Sequence, residues 1–446
     1  MDSKTIYALS TVFGKSGIAV IRISGKHAFL FFEKMTELNA KNIQPRKMYF
    51  TKIVDSVSHE TLDNCLVVAF CAPNSFTGED TVEINCHGSK AVIRSILNAL
   101  SALPDFRMAE PGEYSRRAFY NGKIDLTAAD GLADLIEAET ALQQKTALQQ
   151  MGGTLLNLYE GWREELISLL AYIEAYIDFP DEEIPQDTVF KIENSVLELS
   201  TAISKYIEDN QVEERLRDGF RVVISGPTNA GKSSLINAIV KRNVAIVSDI
   251  AGTTRDVIEA YVDIKGFPVI FSDTAGLRET DDNIEQLGIK LAHEKIASAD
   301  YNIFIFDAEN SSPDIFSEYV STGNNYMLVA NKCDKISSEI KETLRQRGCV
   351  LISAKHSENI AEITDRIYNC FNSMYAGSSA HLMTRCRYKE ALRECVANLQ
   401  RFNLQKEIEL AAEDIRLAAR AIGKITGRVE VDEILDRIFS HFCIGK

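Results

Sequence analysis

The segment Gly226-Pro-Thr-Asn-Ala-Gly-Lys232-Ser233 constrains this chain more than any other. It follows the apolar run Val222-Val-Ile-Ser225 and fits the spacing G-x-x-x-x-G-K-[ST]. In that spacing glycines let successive backbone N–H groups wrap phosphate oxygens, Lys232 reaches the β/γ oxygens, and Ser233 ligates Mg²⁺. Such a loop needs a strand before it and a helix after it, because the unpaired N–H groups of a helix N-terminus face the same anion. Further strands are expected at 269–272, 301–307, 326–330 and 349–353, beside one at 221–225, most of them followed by helical stretches. That alternation predicts a doubly wound parallel α/β sheet over about residues 220–372.

Four more segments sort the nucleotide. Asp273-Thr274-Ala275-Gly276 ends a strand, so Asp273 can hold the metal through water and Gly276 can meet the γ-phosphate. Thr253 and Thr254 of Gly252-Thr-Thr-Arg-Asp256 offer a switch hydroxyl for the same metal. Asn331-Lys332-Cys333-Asp334 follows another strand, and its last carboxylate can accept two bonds from the guanine N1–H and 2-amino group. Adenine offers no such pair. Ser353-Ala354-Lys355 completes the base pocket. Each tetrapeptide alone reads as an ordinary polar turn; their order and spacing specify GTP. The position after Gly276, where Ras-like enzymes carry a water-orienting Gln, holds Leu277. Glu279, Asp281, Asp282 and Glu285 are the nearby carboxylates for that task, although most of such a run is a solvated face.

At 446 residues the chain exceeds one ordinary core, so several domains are expected. Residues 1–119 alternate β-rich runs (18–23, 66–70, 81–84) with one helix near 89–102, an α+β pattern. Residues 120–215 read as helical: Trp162, Leu166, Leu169, Leu170, Ile173 and Ile177 recur at steps of three and four, until Pro180 and Pro185 break the run. Residues 216–376 carry the nucleotide motifs, and 377–446 return to helical spacing through Leu392, Val396, Leu399, Ile408, Ala412, Ile415, Ala419 and Ile422. An amphipathic helix must bury its apolar face, so the two helical stretches are expected to form one all-α domain with the α/β domain inserted in it.

A net charge of −15 disfavours extensive phosphate-backbone contact by this chain alone. Nine cysteines without a C-x-x-C pair argue against a disulfide framework and a zinc site. No run of 18 apolar residues offers a membrane span, and the first residues lack a secretory or transit pattern, so a cytoplasmic location is expected.

Segments outside the nucleotide motifs carry a family resemblance. They are Phe76-Thr-Gly-Glu-Asp80, Cys86-His-Gly88, Pro111-Gly-Glu-Tyr-Ser-Arg-Arg-Ala-Phe119, Asn121-Gly-Lys-Ile-Asp-Leu126, Asp178-Phe-Pro-Asp-Glu-Glu-Ile184 and Phe442-Cys-Ile-Gly-Lys446. With a P-loop nested between helices, they make the chain resemble the MnmE (TrmE) family of tRNA-modification GTPases over nearly its whole length. The early loop at residues 10–17, Thr228 and Ser89 depart from the usual family pattern.

The resemblance implies a K⁺-stimulated GTPase whose G domains dimerise on GTP. Nucleotide contacts are implied for Asn229, Ala230, Gly231, Lys232, Ser233 and Ser234, and for Ser248, Asp249, Ile250, Ala251, Gly252, Thr253 and Thr254. They are likewise implied for Asp273, Thr274, Ala275, Gly276, Asn331, Lys332, Asp334, Ser353, Ala354 and Lys355. Mg²⁺ falls to Ser233 and Thr254, and K⁺ to Asn229, Ser248, Ile250 and Thr253. The implied catalytic residues are Lys232, Glu285 as the group that orients water, and Cys443 in tRNA modification.

The N-terminal domain of the family makes a constitutive homodimer and binds a tetrahydrofolate one-carbon donor, the 5-formyl or 5,10-methylene form. Arg22, Glu83, Lys123 and Lys446 match its contacts. A basic residue suits the glutamate carboxylates of folate, and a carboxylate suits the pterin N–H edge. Read without the family, Arg22 and Glu83 are simply exposed residues on strands. The implied partner is the FAD-containing MnmG (GidA), with which such complexes add an aminomethyl-type group at C5 of the wobble uridine of certain tRNAs. An RNA-binding assembly GTPase of the Era or Der type shares the nucleotide motifs but lacks the N-terminal module and the Cys443-Ile-Gly-Lys446 ending. A scaffold that binds GTP without turnover is disfavoured by the Mg²⁺ ligands and Glu285.

Overall fold

The computed structural model describes residues 4–178, 186–210, 213–243, 259–273, 294–310, 325–376, 385–404 and 407–429, with 438–439, 442 and 445. It divides into two compact units. One comprises Met1–Ala133, Met151–Glu164 and Arg420–Lys446; the other comprises Asp134–Gln150 and Glu165–Ala419.

In the first unit six strands form one sheet: β1 (Thr5–Leu9), β2 (Ala19–Ser24), β3 (Met48–Val54), β4 (Thr61–Phe70), β5 (Thr81–Cys86) and β6 (Phe106–Met108). Their order is β3-β4-β5-β2-β1-β6, with β1 and β6 parallel and every other pair antiparallel. Period-two alternation sends Ile21, Ile23, Val67, Ala69, Val82 and Ile84 into the core, where the helix Lys90–Ser101 adds Ile93, Ile96 and Leu100. Ser89 begins that helix by accepting a bond from the Val92 N–H, which gives this departure from the family pattern a local use. The expected runs at 18–23, 66–70 and 81–84 lie in β2, β4 and β5. Strands β1, β3 and β6 lie outside those runs. Met48 and Phe50 of the edge strand β3 are exposed, and β6 has only three residues, so neither makes a strong pattern.

In the second unit the helices Gln186–Asp209 and Cys386–Arg401 pack against each other. One precedes the α/β domain in sequence and the other follows it, so the α/β domain is inserted between packed helices. Of the predicted stripe, Leu166, Leu169 and Ile173 are buried and Trp162, Leu170 and Ile177 half-buried. The break expected at Pro180 and Pro185 lies outside the described residues.

The inserted domain has a six-stranded sheet: β7 (Phe220–Ser225), β8 (Glu259–Ile264), β9 (Phe267–Asp273), β10 (Tyr301–Asp307), β11 (Tyr326–Asn331) and β12 (Val350–Leu351). The order β12-β11-β10-β7-β9-β8 is parallel throughout except for β8. Covering on both faces explains the nearly continuous apolar runs of β7 and β10. Phe220 stacks on Phe371 of the helix Ile360–Ala376 at 4.3 Å between ring centroids. Strand β8 carries no apolar run because it is an edge strand with Glu259 and Tyr261 exposed. The fold is thus an N-terminal α+β domain, an all-α domain and a Ras-like doubly wound domain. Among the described residues no helix is long and apolar enough to cross a membrane.

Candidate functional site

The nucleotide motifs that fall among the described residues converge at the C-terminal ends of the parallel strands, where open α/β sheets bind ligands. The segment from Gly226 to Gly231 runs from β7 into the helix Lys232–Arg242. Gly226 has φ +143°, and a Cβ there would lie 1.9 Å from the Ile305 carbonyl oxygen. Gly231 has φ +97°, and its Cβ would lie 2.2 Å from Asn331 Nδ2. Neither position admits a side chain without displacement. Both glycines are thus required by close packing against Ile305 and Asn331, and the loop leads into a helix whose N-terminus suits an anion.

Lys232 is buried and donates from Nζ to the carbonyls of Gly226 and Pro227, at 2.9 and 3.0 Å. Burial lowers its pKa, and the nearby Asp273 charge partly restores it. Asp273 ends β9, in register with Ile224 of β7, and its Oδ2 accepts a long bond (3.4 Å) from Ser233 Oγ. A hydroxyl and a carboxylate oxygen on one spot are the hard donors that Mg²⁺ takes. Asn229 and Ser234 are exposed, Asn229 with φ +62°.

Two loops build the base side. Asn331, at the end of β11, is buried; its Nδ2 donates to the Ala230 carbonyl (2.8 Å) and its Oδ1 accepts from the Ala354 N–H (3.0 Å). One side chain thus ties the phosphate loop to Ser353-Ala354-Lys355. Lys332 has φ +63° and donates to Asp307 Oδ2 at 2.7 Å. Burial opposes the Asp307 charge, but bonds from Lys332, Asn310 and the Glu309 N–H hold its carboxyl below the usual range. Asp334 is exposed, and the Ser353 hydroxyl beside it keeps its carboxyl below the ordinary value. Lys355 is exposed as well. The sequence named Asn331 and Lys332 as base contacts. It gave no sign of Asn331's bridging bonds, and Asp307, at the end of β10, was not singled out at all.

Ser248, Asp249, Ile250, Ala251, Gly252, Thr253 and Thr254 lie outside the described residues, as do Thr274, Ala275, Gly276, Leu277, Glu279, Asp281, Asp282, Glu285, Cys443 and Lys446.

Two of the N-terminal candidates meet. Arg22 on β2 and Glu83 on β5 are register partners, and Arg22 Nε and Nη2 approach Glu83 Oε1 at 2.9 and 2.8 Å. The two exposed strand residues are therefore one half-buried ion pair. The Arg22 guanidinium lies 5.7 Å from the ring centroids of both Phe76 and Tyr114, and Tyr114 Oη donates to the Arg22 carbonyl. Lys123 Nζ donates to the Pro73 carbonyl (2.8 Å), at the start of the loop that carries Phe76. Ser10 Oγ donates to the Gly445 carbonyl (3.0 Å).

Comparison with known proteins assigns the whole chain. The family model described as the MnmE helical domain matches residues 126–443, and the GTP-binding protein TrmE N-terminus matches residues 5–123. The chain belongs to the MnmE family. Relatives named tRNA modification GTPase MnmE include those of Rickettsia bellii and Rickettsia typhi. They are 44% and 43% identical over 446 residues, covering 99% of this chain and 100% of each relative. A solved structure of Era from Aquifex aeolicus aligns with 33% of this chain and 56% of its own, at 28% identity and a TM-score of 0.27.

Proposed function

We propose that this MnmE-family chain is a GTP hydrolase acting in tRNA modification, stimulated by K⁺. The observation that carries the reading is the Asn331 bridge. It joins the glycine loop, beside which Lys232, Ser233 and Asp273 stand, to a loop offering Asp334, so triphosphate and guanine would be recognised by one connected site. When GTP binds, Lys232 exchanges two carbonyl acceptors for phosphate oxygens, and Asp334 accepts from the guanine N1–H and 2-amino group. Ser233 and Thr254 would hold Mg²⁺, and Asn229, Ser248, Ile250 and Thr253 would hold K⁺. Bound there, the two cations supply positive charge next to the transferring phosphoryl group. Glu285 orients the attacking water, a task Leu277 cannot perform.

The same reading assigns residues 1–119 to folate binding and dimerisation, with Arg22, Glu83, Lys123 and Lys446 as contacts for 5-formyl- or 5,10-methylene-tetrahydrofolate. The helical domain comprises 120–215 and 377–446 and carries Cys443, and the G domain comprises 216–376. The chain works in the cytoplasm as a homodimer with the FAD-containing MnmG, on C5 of the wobble uridine of certain tRNAs. GTP hydrolysis drives a conformational change. The net charge of −15 supports a division in which the partner holds much of the tRNA.

Steady-state GTP hydrolysis in K⁺ and in Na⁺ buffers of equal ionic strength tests the reading. Hydrolysis faster in K⁺ by about 100-fold, the scale of removing one charge-stabilising group, is expected. Equal rates in both salts reject the K⁺ assignment, and no hydrolysis in either rejects the enzyme.

A further inference from the structure

The loop carrying Phe76 rests on a buried ion network that the proposed chemistry does not use. Arg117, on the helix Glu113–Tyr120, is only 6% exposed. Its Nη1 donates to both carboxylate oxygens of Glu79 at 3.1 Å, and its Nη2 to Glu113 Oε1 (2.9 Å) and the Lys4 carbonyl (3.0 Å). Arg107 holds the other face of Glu113 with two bonds of 2.7 Å. Glu79 also accepts from Ser24 Oγ at 2.8 Å, and Asn121 Nδ2 donates to the Thr77 carbonyl at 2.7 Å. Side chains from β2, from the helix and from the turn after it thus grip the short segment from Thr77 to Glu79.

What leaves this gripped segment is Phe76, 37% exposed, with its ring against Arg22. Both Arg22 contacts to Glu83 go to Oε1, so Oε2 keeps its acceptor capacity. An exposed ring, a guanidinium and a carboxylate at fixed mutual positions suit a planar heteroaromatic ligand that also donates N–H bonds. Buried ion groups are a poor source of net stability, since apolar side chains of similar volume serve as well or better. A fully bonded network does hold a single geometry.

We propose that Arg117, acting through Glu79, is a positioning residue that sets the Phe76 turn for the pterin end of a reduced folate. The inference rests on the folate reading above. Arg117 does not touch the ligand; it fixes where Phe76 stands relative to Arg22 and Glu83.

The test uses the purified full-length chain and 5-formyltetrahydrofolate, titrated by calorimetry, with GTP hydrolysis on the same samples as a check on the other unit. Loop orientation is read separately, by fluorescence of Phe76→Trp in a Trp162→Phe background, with and without Arg117→Lys. Lysine keeps the charge but cannot span both carboxylates. The expected result is a loss of about tenfold or more in folate affinity for Arg117→Lys through lost preorganisation. Unchanged GTP hydrolysis and a red-shifted indole emission should accompany it. Wild-type affinity in Arg117→Lys overturns the proposal. Absence of folate binding by the wild type overturns the folate reading instead; the indole signal then decides alone, an unshifted emission rejecting the role of Arg117 in setting the turn. Where Arg117→Lys is insoluble, Glu79→Gln, close in volume, carries the same outcomes.

Discussion

Asn331 donates to the Ala230 carbonyl across 2.8 Å, and this bond makes the base loop and the phosphate loop one body. Because its Oδ1 also accepts from the Ala354 N–H, replacing the side chain leaves a buried carbonyl and a buried N–H without partners. Asn331→Ala should cost about 1–3 kcal/mol of stability and lower GTP affinity by about tenfold or more. Thermal unfolding and titration with a fluorescent GTP analogue measure the two effects; wild-type values in both would contradict the bridging role.

Gly231 and Asn331 are coupled sterically. A methyl group at position 231 falls 2.2 Å from Asn331 Nδ2, on a backbone with φ +97°. Gly231→Ala should therefore destabilise the chain by about 1–3 kcal/mol. In an Asn331→Ala background the penalty should shrink, since the clashing group is gone while the backbone strain stays. Additive effects in a double-mutant cycle would show that the two residues do not meet in solution.

The proposed selection of guanine by Asp334 predicts a change of base. Asp334→Asn replaces one acceptor with a donor, which suits the 2-oxo group of xanthine and opposes the 2-amino group of guanine. GTP affinity should fall by about 100-fold or more while xanthosine triphosphate gains. Competition between the two nucleotides measures it, and retained preference for GTP would remove Asp334 from the base site.

Lys232 predicts a proton linkage. Burial lowers its pKa in the free protein, and bound phosphates restore it. Between that lowered value and the restored one, GTP binding takes up a proton. The same depression makes the free fold gain stability as pH rises through the lowered value. Calorimetric titrations over an alkaline pH series, in buffers of different ionisation enthalpy, should show uptake below the ordinary lysine range; heats independent of buffer at every pH would contradict it.

The candidate nucleotide site was legible as a proposal because phosphate and guanine recognition each demand particular residues at fixed spacing beside a strand end. Glycines 226 and 231, Lys232 and Asp334 could be named from that demand alone. The Asn331 bridge was not legible, since its partner is a main-chain carbonyl that any residue at position 230 would supply. Strands β8 and β3 escape a reading of the sequence because edge strands expose polar or isolated apolar residues. Arg22 and Glu83 lie 61 positions apart in sequence, and only the β2–β5 register joins them. The Arg117 network was hidden for the same reason, with Glu79 and Arg117 distant in sequence and each reading as a surface charge.

The most direct test of the central claim is nucleoside mass spectrometry of tRNA from cells lacking their own family member, complemented with this chain and the FAD-containing partner proposed for it. The account predicts that the wild type restores the C5-modified wobble uridine and that Lys232→Ala, which cannot reach the phosphates, does not. Equal restoration by both would separate the modification from the nucleotide site. Failure of a soluble, GTP-hydrolysing wild type to restore it with the partner present would contradict the account.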